Sequence, residues 1–188
     1  MKSKLILTLL ALTYGGAALA HPGHSDGAIA GLMHPLTGID HILAMLAVGL
    51  WGAQLGGRAQ WLLPASFVAF LAVGGALGIG GAALPMVEAG IVTSVLLLGL
   101  LIGFAVRLKT LPAALVVGVF AVFHGYAHGT EMPGMSNAWL YGLGFVAASA
   151  ALHIAGLGLG RAVCRHGAWL RTGGGLIALA GMWLGMAA

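Results

Sequence analysis

Two groups of histidines and carboxylates lie in stretches of the sequence that otherwise carry almost no charge. The six residues are His34, Asp40 and His41 in the first group and His124, His128 and Glu131 in the second. An ionisable group at bilayer depth costs about 2.5–3.5 kcal/mol on insertion scales unless something compensates it. Imidazole and carboxylate together are also ligands that divalent transition metals bind. The two groups therefore predict a metal-handling site inside a membrane protein.

The second group has the spacing of a single helical face. At about 100° per residue, His124, His128 and Glu131 lie at about 0°, 40° and −20° around the helix axis, and Glu131 lies about 10 Å along the axis from His124. Gly125 and Gly129 lie beside this stripe and allow a neighbouring helix to approach closely. We expect the three side chains to point at one ion.

The first group favours a helix that is interrupted near its start. His34 and His41 are seven residues apart and share nearly the same face, whereas Asp40 is about 100° away from His41. Asp40 therefore either faces another helix or orients an imidazole, as carboxylates commonly do for metal ligands. Pro35 disfavours helix at His34, and broken helices are common at transporter sites.

Other soft or nitrogen donors are interpreted as ordinary packing residues. His153 and His166 stand alone, and a single membrane histidine is more often packed or hydrogen-bonded than a ligand. Met33, Met132 and Met135 lie near the predicted mouth, but methionine commonly fills gaps in helix bundles.

The composition excludes an ordinary soluble domain. Of the 188 residues 60% are hydrophobic and only 6% are charged, against roughly 25% charged in soluble domains. The only cysteine, Cys164, rules out an internal disulfide. The basic residues are isolated and form no patch, so no nucleic-acid partner is predicted.

The first twenty residues resemble an export signal. Lys2 and Lys4 precede an apolar run at 5–12, and Ala18-Leu19-Ala20 is a small-x-small cleavage site. We predict a signal peptide at 1–20 and a mature domain at 21–188. The alternative is an uncleaved first helix.

Six apolar segments follow, each close to the ~20 residues that a membrane-spanning helix needs. They cover residues 28–53, 61–83, 86–106, 111–130, 138–160 and 168–187. Continuous apolar runs without strict alternation indicate helices rather than a barrel. The predicted fold class is all-α, a polytopic membrane bundle of six transmembrane helices.

The distribution of lysine and arginine predicts the orientation. The basic residues of the mature chain are Arg58, Arg107, Lys109, Arg161, Arg165 and Arg171. All of them fall in the inner connections if both termini are outside. The outer side then holds groups that attract cations, namely His21, His24, Asp26, Glu88 and Glu131. His21 and His24 either capture metal first or belong to a flexible tail.

Glycines at four-residue spacing predict close helix packing. The pairs are Gly74/Gly78, Gly99/Gly103, Gly125/Gly129, Gly156/Gly160 and Gly181/Gly185. Three-plus-three helices also suggest an inverted repeat, although the two halves share no convincing sequence similarity.

The two motifs resemble those of a known family. Residues 34–41 (HPLTGIDH) fit an H-x5-D-H pattern, and residues 123–131 (FHGYAHGTE) fit F-H-G-x-A-H-G-x-E. In this order they are similar to the HupE/UreJ family of bacterial membrane proteins, along essentially the whole chain. The resemblance implies a secondary permease of the bacterial inner membrane that imports nickel or cobalt for hydrogenase or urease maturation. It places His34, Asp40, His41, His124 and Glu131 in the metal path.

The partners expected on this basis are a divalent metal ion, the lipid bilayer and downstream metallochaperones of hydrogenase or urease. Ni²⁺ or Co²⁺ is then the transported substrate, and no prosthetic group is expected. The sequence has no G-x-x-x-x-G-K-[ST] run, so neither a nucleotide partner nor an ATPase is predicted. The alternatives are an intramembrane metalloenzyme, since His124-x-x-x-His128 resembles a histidine box, and a metal-sensing or accessory membrane subunit.

Overall fold

All regular secondary structure in the described residues is helical. The computed structural model describes residues 27–132, 137–163 and 167–187. A short helix α1 (Gly27–Met33) and a 3-10 turn (His34–Leu36) come first. The remaining helices are α2 (Ile39–Leu55), α3 (Ala59–Ile79), α4 (Val87–Gly103), α5 (Thr110–Thr130), α6 (Ala138–Val163) and α7 (Gly167–Ala187). The all-α prediction is confirmed for these residues, and the predicted signal peptide lies outside them.

Within the described residues, three helices are long and apolar enough to cross a membrane. These are α3, α5 and α6, and α1 with α2 makes a fourth if the bent pair counts as one span. The apolar helix α4 has only 17 residues. Helix α7 has 21 residues, but Arg171 and the glycines at 173–175 lower its hydropathy. Helices α3–α7 thus match five of the six predicted segments, and the first segment, 28–53, is divided between α1 and α2. Six full spans stay a prediction.

The predicted break near His34 is present. The axes of the α1 segment and of α2 differ by 80°, so residues 28–53 are not one continuous helix. The Thr37 hydroxyl donates to the His34 carbonyl at 2.7 Å, which closes the 3-10 turn around Pro35. Gly38 is then extended, with φ −96° and ψ 120°, and α2 starts in a new direction. The bend turns His34 back toward the start of α2.

The helices associate as three pairs with glycines at the contacts. A Cβ atom on Gly125 of α5 would overlap the Leu71 carbonyl of α3. The same holds for Gly156 of α6 against Leu46 of α2, and for a contact between α4 and α7 at Gly99. All ten glycines of the predicted four-residue pairs lie at such helix contacts. Their predicted packing role is therefore confirmed.

The directions within these pairs match a chain that alternates in direction. In the α3–α5 and α2–α6 pairs, the numbers of the contacting residues increase in the same direction along both helices, so these two pairs are parallel. In the α4–α7 pair the numbers increase along one helix and decrease along the other, so this pair is antiparallel. An inverted repeat would map α2, α3 and α4 onto α5, α6 and α7. It would therefore exchange the α2–α6 pair with the α3–α5 pair and map the α4–α7 pair onto itself. The observed pairing has this pattern.

Charged residues separate to the two ends of the described bundle. The acids Asp40, Glu88 and Glu131 meet at one end, called here the acidic end. The opposite, basic end holds Arg58, Arg107, Lys109, Arg161 and Arg171. A cavity of about 280 Å³ at the basic end is lined partly by Gln54, Arg107 and Arg171. Between the ends, apolar side chains such as Leu115, Leu143 and Ile154 are exposed on the outer surface, as expected for helices that face lipid.

Candidate metal centre

Three donors from two elements converge at the acidic end. His34 comes from the 3-10 turn, and His128 and Glu131 come from the last turn of α5 and its end. The His34 Nε2–H donates to Glu131 Oε2 at 3.1 Å, and His128 Nδ1 lies 3.8 Å from the same oxygen. One donor atom from each of the three residues lies within 4.8 Å of the others. Ligand atoms that share a metal are each about 2 Å from it, so a small contraction brings these three into one coordination shell.

His41 and Asp40 form a fixed pair beside this cluster. Asp40 Oδ1 accepts both the His41 backbone N–H at 2.9 Å and the His41 Nδ1–H at 2.8 Å. The proton on Nδ1 leaves the lone pair on Nε2, which is buried and has no partner among the described residues. The sequence left two roles open for Asp40, facing another helix or orienting an imidazole, and the geometry shows the second. It orients the imidazole and fixes its tautomer.

His124 is oriented by a serine from α4. The Ser94 hydroxyl donates to the Ile91 carbonyl at 2.6 Å, so its oxygen accepts the His124 Nε2–H at 2.8 Å. A hydroxyl has only one proton, and this arrangement uses it. The His124 lone pair is therefore on Nδ1, which is buried and unpartnered in the described part of the chain.

The four imidazole rings form a continuous column from the surface into the bundle. Ring centroids are 4.7 Å apart for His34 and His128, 4.1 Å for His128 and His41, and 4.8 Å for His41 and His124. Side-chain exposure falls from 55% at Glu131 and 27% at His34 to 5% at His128. His124 is fully buried. The donors thus lead from water to the interior.

The column opens into a cavity of about 260 Å³ at the acidic end. Its lining residues include His34, Asp40, His41, Glu88, His128 and Glu131. Imidazole and carboxylate groups therefore face a common space that water can enter. Such a space can receive a hydrated cation and offer it replacement ligands one at a time.

Comparison with known proteins identifies the family. The family model described as HupE / UreJ protein matches residues 8–184. The chain belongs to the HupE/UreJ family. A curated relative, "Protein HupE" of Rhizobium leguminosarum bv. viciae, is 52% identical over 184 residues, which cover 95% of each chain. No solved structure gives a significant match.

The HupE/UreJ resemblance inferred from the two motifs is thus confirmed, and both motifs lie inside the matched range. The structure brings all six predicted site residues to one end of the bundle. Their role as metal ligands stays a prediction. His21 and His24, the predicted capture residues, lie outside the described residues, as does His166.

Three polar side chains near the column were not among the predicted site residues of this HupE/UreJ protein. Glu88 of α4 lines the cavity, Ser94 holds His124, and the Tyr141 ring lies 5.8 Å from that of His34. Glu88 and Ser94 belong to neither motif. The orientation nevertheless predicted Glu88, one of only four acids in the chain, on the outer side at the start of segment 86–106, where it would attract cations.

Proposed function

We propose that this protein is a secondary permease that imports a divalent transition metal, nickel or cobalt, across the bacterial inner membrane. The observation that carries the proposal is the column of imidazoles that runs from the acidic cavity to the fully buried His124. Buried ring nitrogens with free lone pairs are costly unless they have a ligand to bind. A passing metal cation is such a ligand.

The order of the donors fits stepwise removal of water from the ion. A hydrated dication cannot enter hydrocarbon, so protein ligands must replace its water. Glu88 and Glu131 supply negative charge at the mouth, and His34 with His128 supplies nitrogen close to it. His41 Nε2 and His124 Nδ1 then offer neutral nitrogen further inside. Conduction requires that none of these sites holds the ion too tightly.

The orientation follows from the separation of charge. We place the basic end in the cytoplasm by the positive-inside rule, and the acidic cavity then opens on the periplasmic side. Six spans after a cleaved signal peptide, with both termini outside, agree with this arrangement. A potential of about 100 mV, negative inside, favours entry of a dication by about 4.6 kcal/mol, twice the ~2.3 kcal/mol per charge. No nucleotide is needed as an energy source.

We propose that the imported metal supplies hydrogenase or urease maturation through cytoplasmic metallochaperones. The support is family membership and the similarity to a protein named HupE. The metal is cargo in this proposal, and the protein acts as a transporter rather than an enzyme.

Uptake into proteoliposomes that contain only this protein tests the proposal. We expect radiolabelled Ni²⁺ or Co²⁺ to accumulate, and to accumulate faster when a potassium diffusion potential makes the interior negative. A metalloenzyme or a sensor subunit would bind metal without such accumulation. Binding without uptake, with protein correctly inserted, would therefore contradict the permease.

A matched pair of histidine variants identifies the residues that carry transport. We expect His124→Ala to abolish uptake, because it removes the innermost donor of the column. His166→Ala should leave uptake near normal at equal membrane abundance. Equal loss in both variants would indicate a general effect on folding and not a metal path through His124.

A further inference from the structure

His153 is a buried histidine outside the column described above. It lies on α6 with 0% of its surface exposed, and the only backbone group near its ring is that of Ser149 one turn earlier, so at least one ring nitrogen has no hydrogen-bond partner among the described residues. Burying an unpaired polar group carries a free-energy cost. Packing alone therefore does not account for an imidazole at this position, because an apolar side chain could fill the space without that cost.

The position of His153 along the bundle is between the two cavities. Helix α2 lines the acidic cavity at His41 and the basic cavity at Ala53 and Gln54. A Cβ atom on Gly49 of α2 would overlap the His153 carbonyl, so His153 is level with Gly49. At ~1.5 Å per residue, Gly49 is about 12 Å beyond His41 and about 6 Å before Ala53. The His153 backbone thus lies deeper than His41 and toward the basic end.

One aromatic ring connects His153 to the column. The Phe67 ring of α3 lies 5.6 Å from the His124 ring and 4.8 Å from the His153 ring, measured between centroids. His124 and His153 therefore contact the same phenyl ring.

We propose that His153 is a further metal-binding site of the same passage, which accepts Ni²⁺ or Co²⁺ from His124 on the way to the basic end. This inference rests on the proposed transport function and extends it into the inner half of the bundle. His153 offers a neutral nitrogen in a region where the described structure has no carboxylate. A single neutral ligand binds a dication more weakly than the mouth of the column does, which suits release.

A cysteine at position 153 tests metal access directly. In a Cys164→Ser background, purified full-length His153→Cys protein is titrated with Co²⁺. We expect a thiolate-to-cobalt charge-transfer band in the near ultraviolet, because a thiolate there would bind the ion. Ile154→Cys is the matched control, since Ile154 is 64% exposed on the outer surface. It should give no band. Absence of a band for His153→Cys, while Co²⁺ occupies the acidic end, would overturn the proposal.

Uptake measurements separate a ligand role from packing. We expect His153→Leu to lower the rate of Ni²⁺ uptake at least about tenfold, while Ni²⁺ affinity measured by calorimetry stays within about twofold because the acidic-end donors are intact. His153→Gln, which keeps a polar donor, should restore part of the rate. Wild-type uptake by His153→Leu would contradict the proposal.

Misfolding of His153→Leu and a lack of transport by the wild type can both be told apart from a failure of the His153 proposal. If His153→Leu fails to fold, the cobalt band of the cysteine variant decides the matter. If wild-type protein transports no metal, the permease proposal fails, but the cobalt titration still reports whether position 153 binds the ion. The two failures are therefore distinguishable.

Discussion

Replacing Ser94 by alanine tests whether His124 is held in one tautomer for metal binding. In the wild type the Ser94 oxygen accepts the His124 Nε2–H at 2.8 Å while its own proton goes to the Ile91 carbonyl at 2.6 Å. The variant removes the only acceptor that the described residues offer to that proton. The ring then loses the constraint that presents Nδ1, and the other tautomer becomes accessible.

The magnitude follows from the role of Ser94 as a partner of a ligand. Loss of such a partner typically weakens metal affinity 10–100-fold, which is about 1.4–2.7 kcal/mol. The lost hydrogen bond itself contributes only about 1 kcal/mol to folding. We therefore expect Ser94→Ala to fold, and to need about 10–100-fold more Ni²⁺ for half-maximal uptake.

Uptake in proteoliposomes and ¹⁵N NMR of the imidazoles measure these effects. The NMR spectrum should show His124 protonated on Nε2 in the wild type and a mixture in the variant. Ser149→Ala is the control, because Ser149 is also fully buried but its hydroxyl donates to the Phe145 carbonyl. Unchanged half-saturation in Ser94→Ala, or a wild-type His124 protonated on Nδ1, would refute the reasoning.

Three further outcomes are expected. Asp40→Asn should lower Ni²⁺ uptake about 10–100-fold, since the carboxylate that orients His41 is lost; uptake close to wild type would contradict that role. Ni²⁺ affinity measured by calorimetry should fall as the pH is lowered from about 7.5 to about 4, because protons compete with the ion for the imidazole and carboxylate ligands at the mouth, and an affinity that stays constant over this range would argue against those ligands. Gly125→Ala should destabilise the protein by about 1–3 kcal/mol in thermal unfolding, because its Cβ would overlap the Leu71 carbonyl. A Cβ atom on Gly142 would have nothing within 4 Å, so Gly142→Ala should be at least as stable as the wild type, because alanine favours a helix more than glycine does.

Much of the candidate site could be predicted from the sequence because it depends on local periodicity. His124, His128 and Glu131 share a helical stripe whatever the helix packs against, and Pro35 predicted the break that turns His34 inward. Glu88 was predicted to lie on the outer side, but not to line the metal cavity. Its position depends on where α4 packs against α2 and α5, which no local pattern encodes.

The fold was predictable to a similar extent, with a clear limit. Apolar runs located the six long helices, and glycine spacing located their contacts. Length and hydropathy alone do not make six spans, because α4 is short and α7 begins with a charged, glycine-rich turn. His153 was interpreted as a packing residue because a lone histidine in an apolar helix gives the same pattern whether or not its nitrogens have partners.

The glycine contacts have a mechanical consequence for the metal centre. Where a carbonyl of one helix touches the Cα of another, no side chain lies between the backbones, so the two helices cannot easily slide or tilt and behave as a rigid block. The site draws on all three blocks: His41 comes from α2–α6, His124 from α3–α5, and Ser94, which orients His124, from α4–α7. A small rotation of one block relative to the others would therefore change the distances between the ligands. The affinity of the site for an ion would change with them.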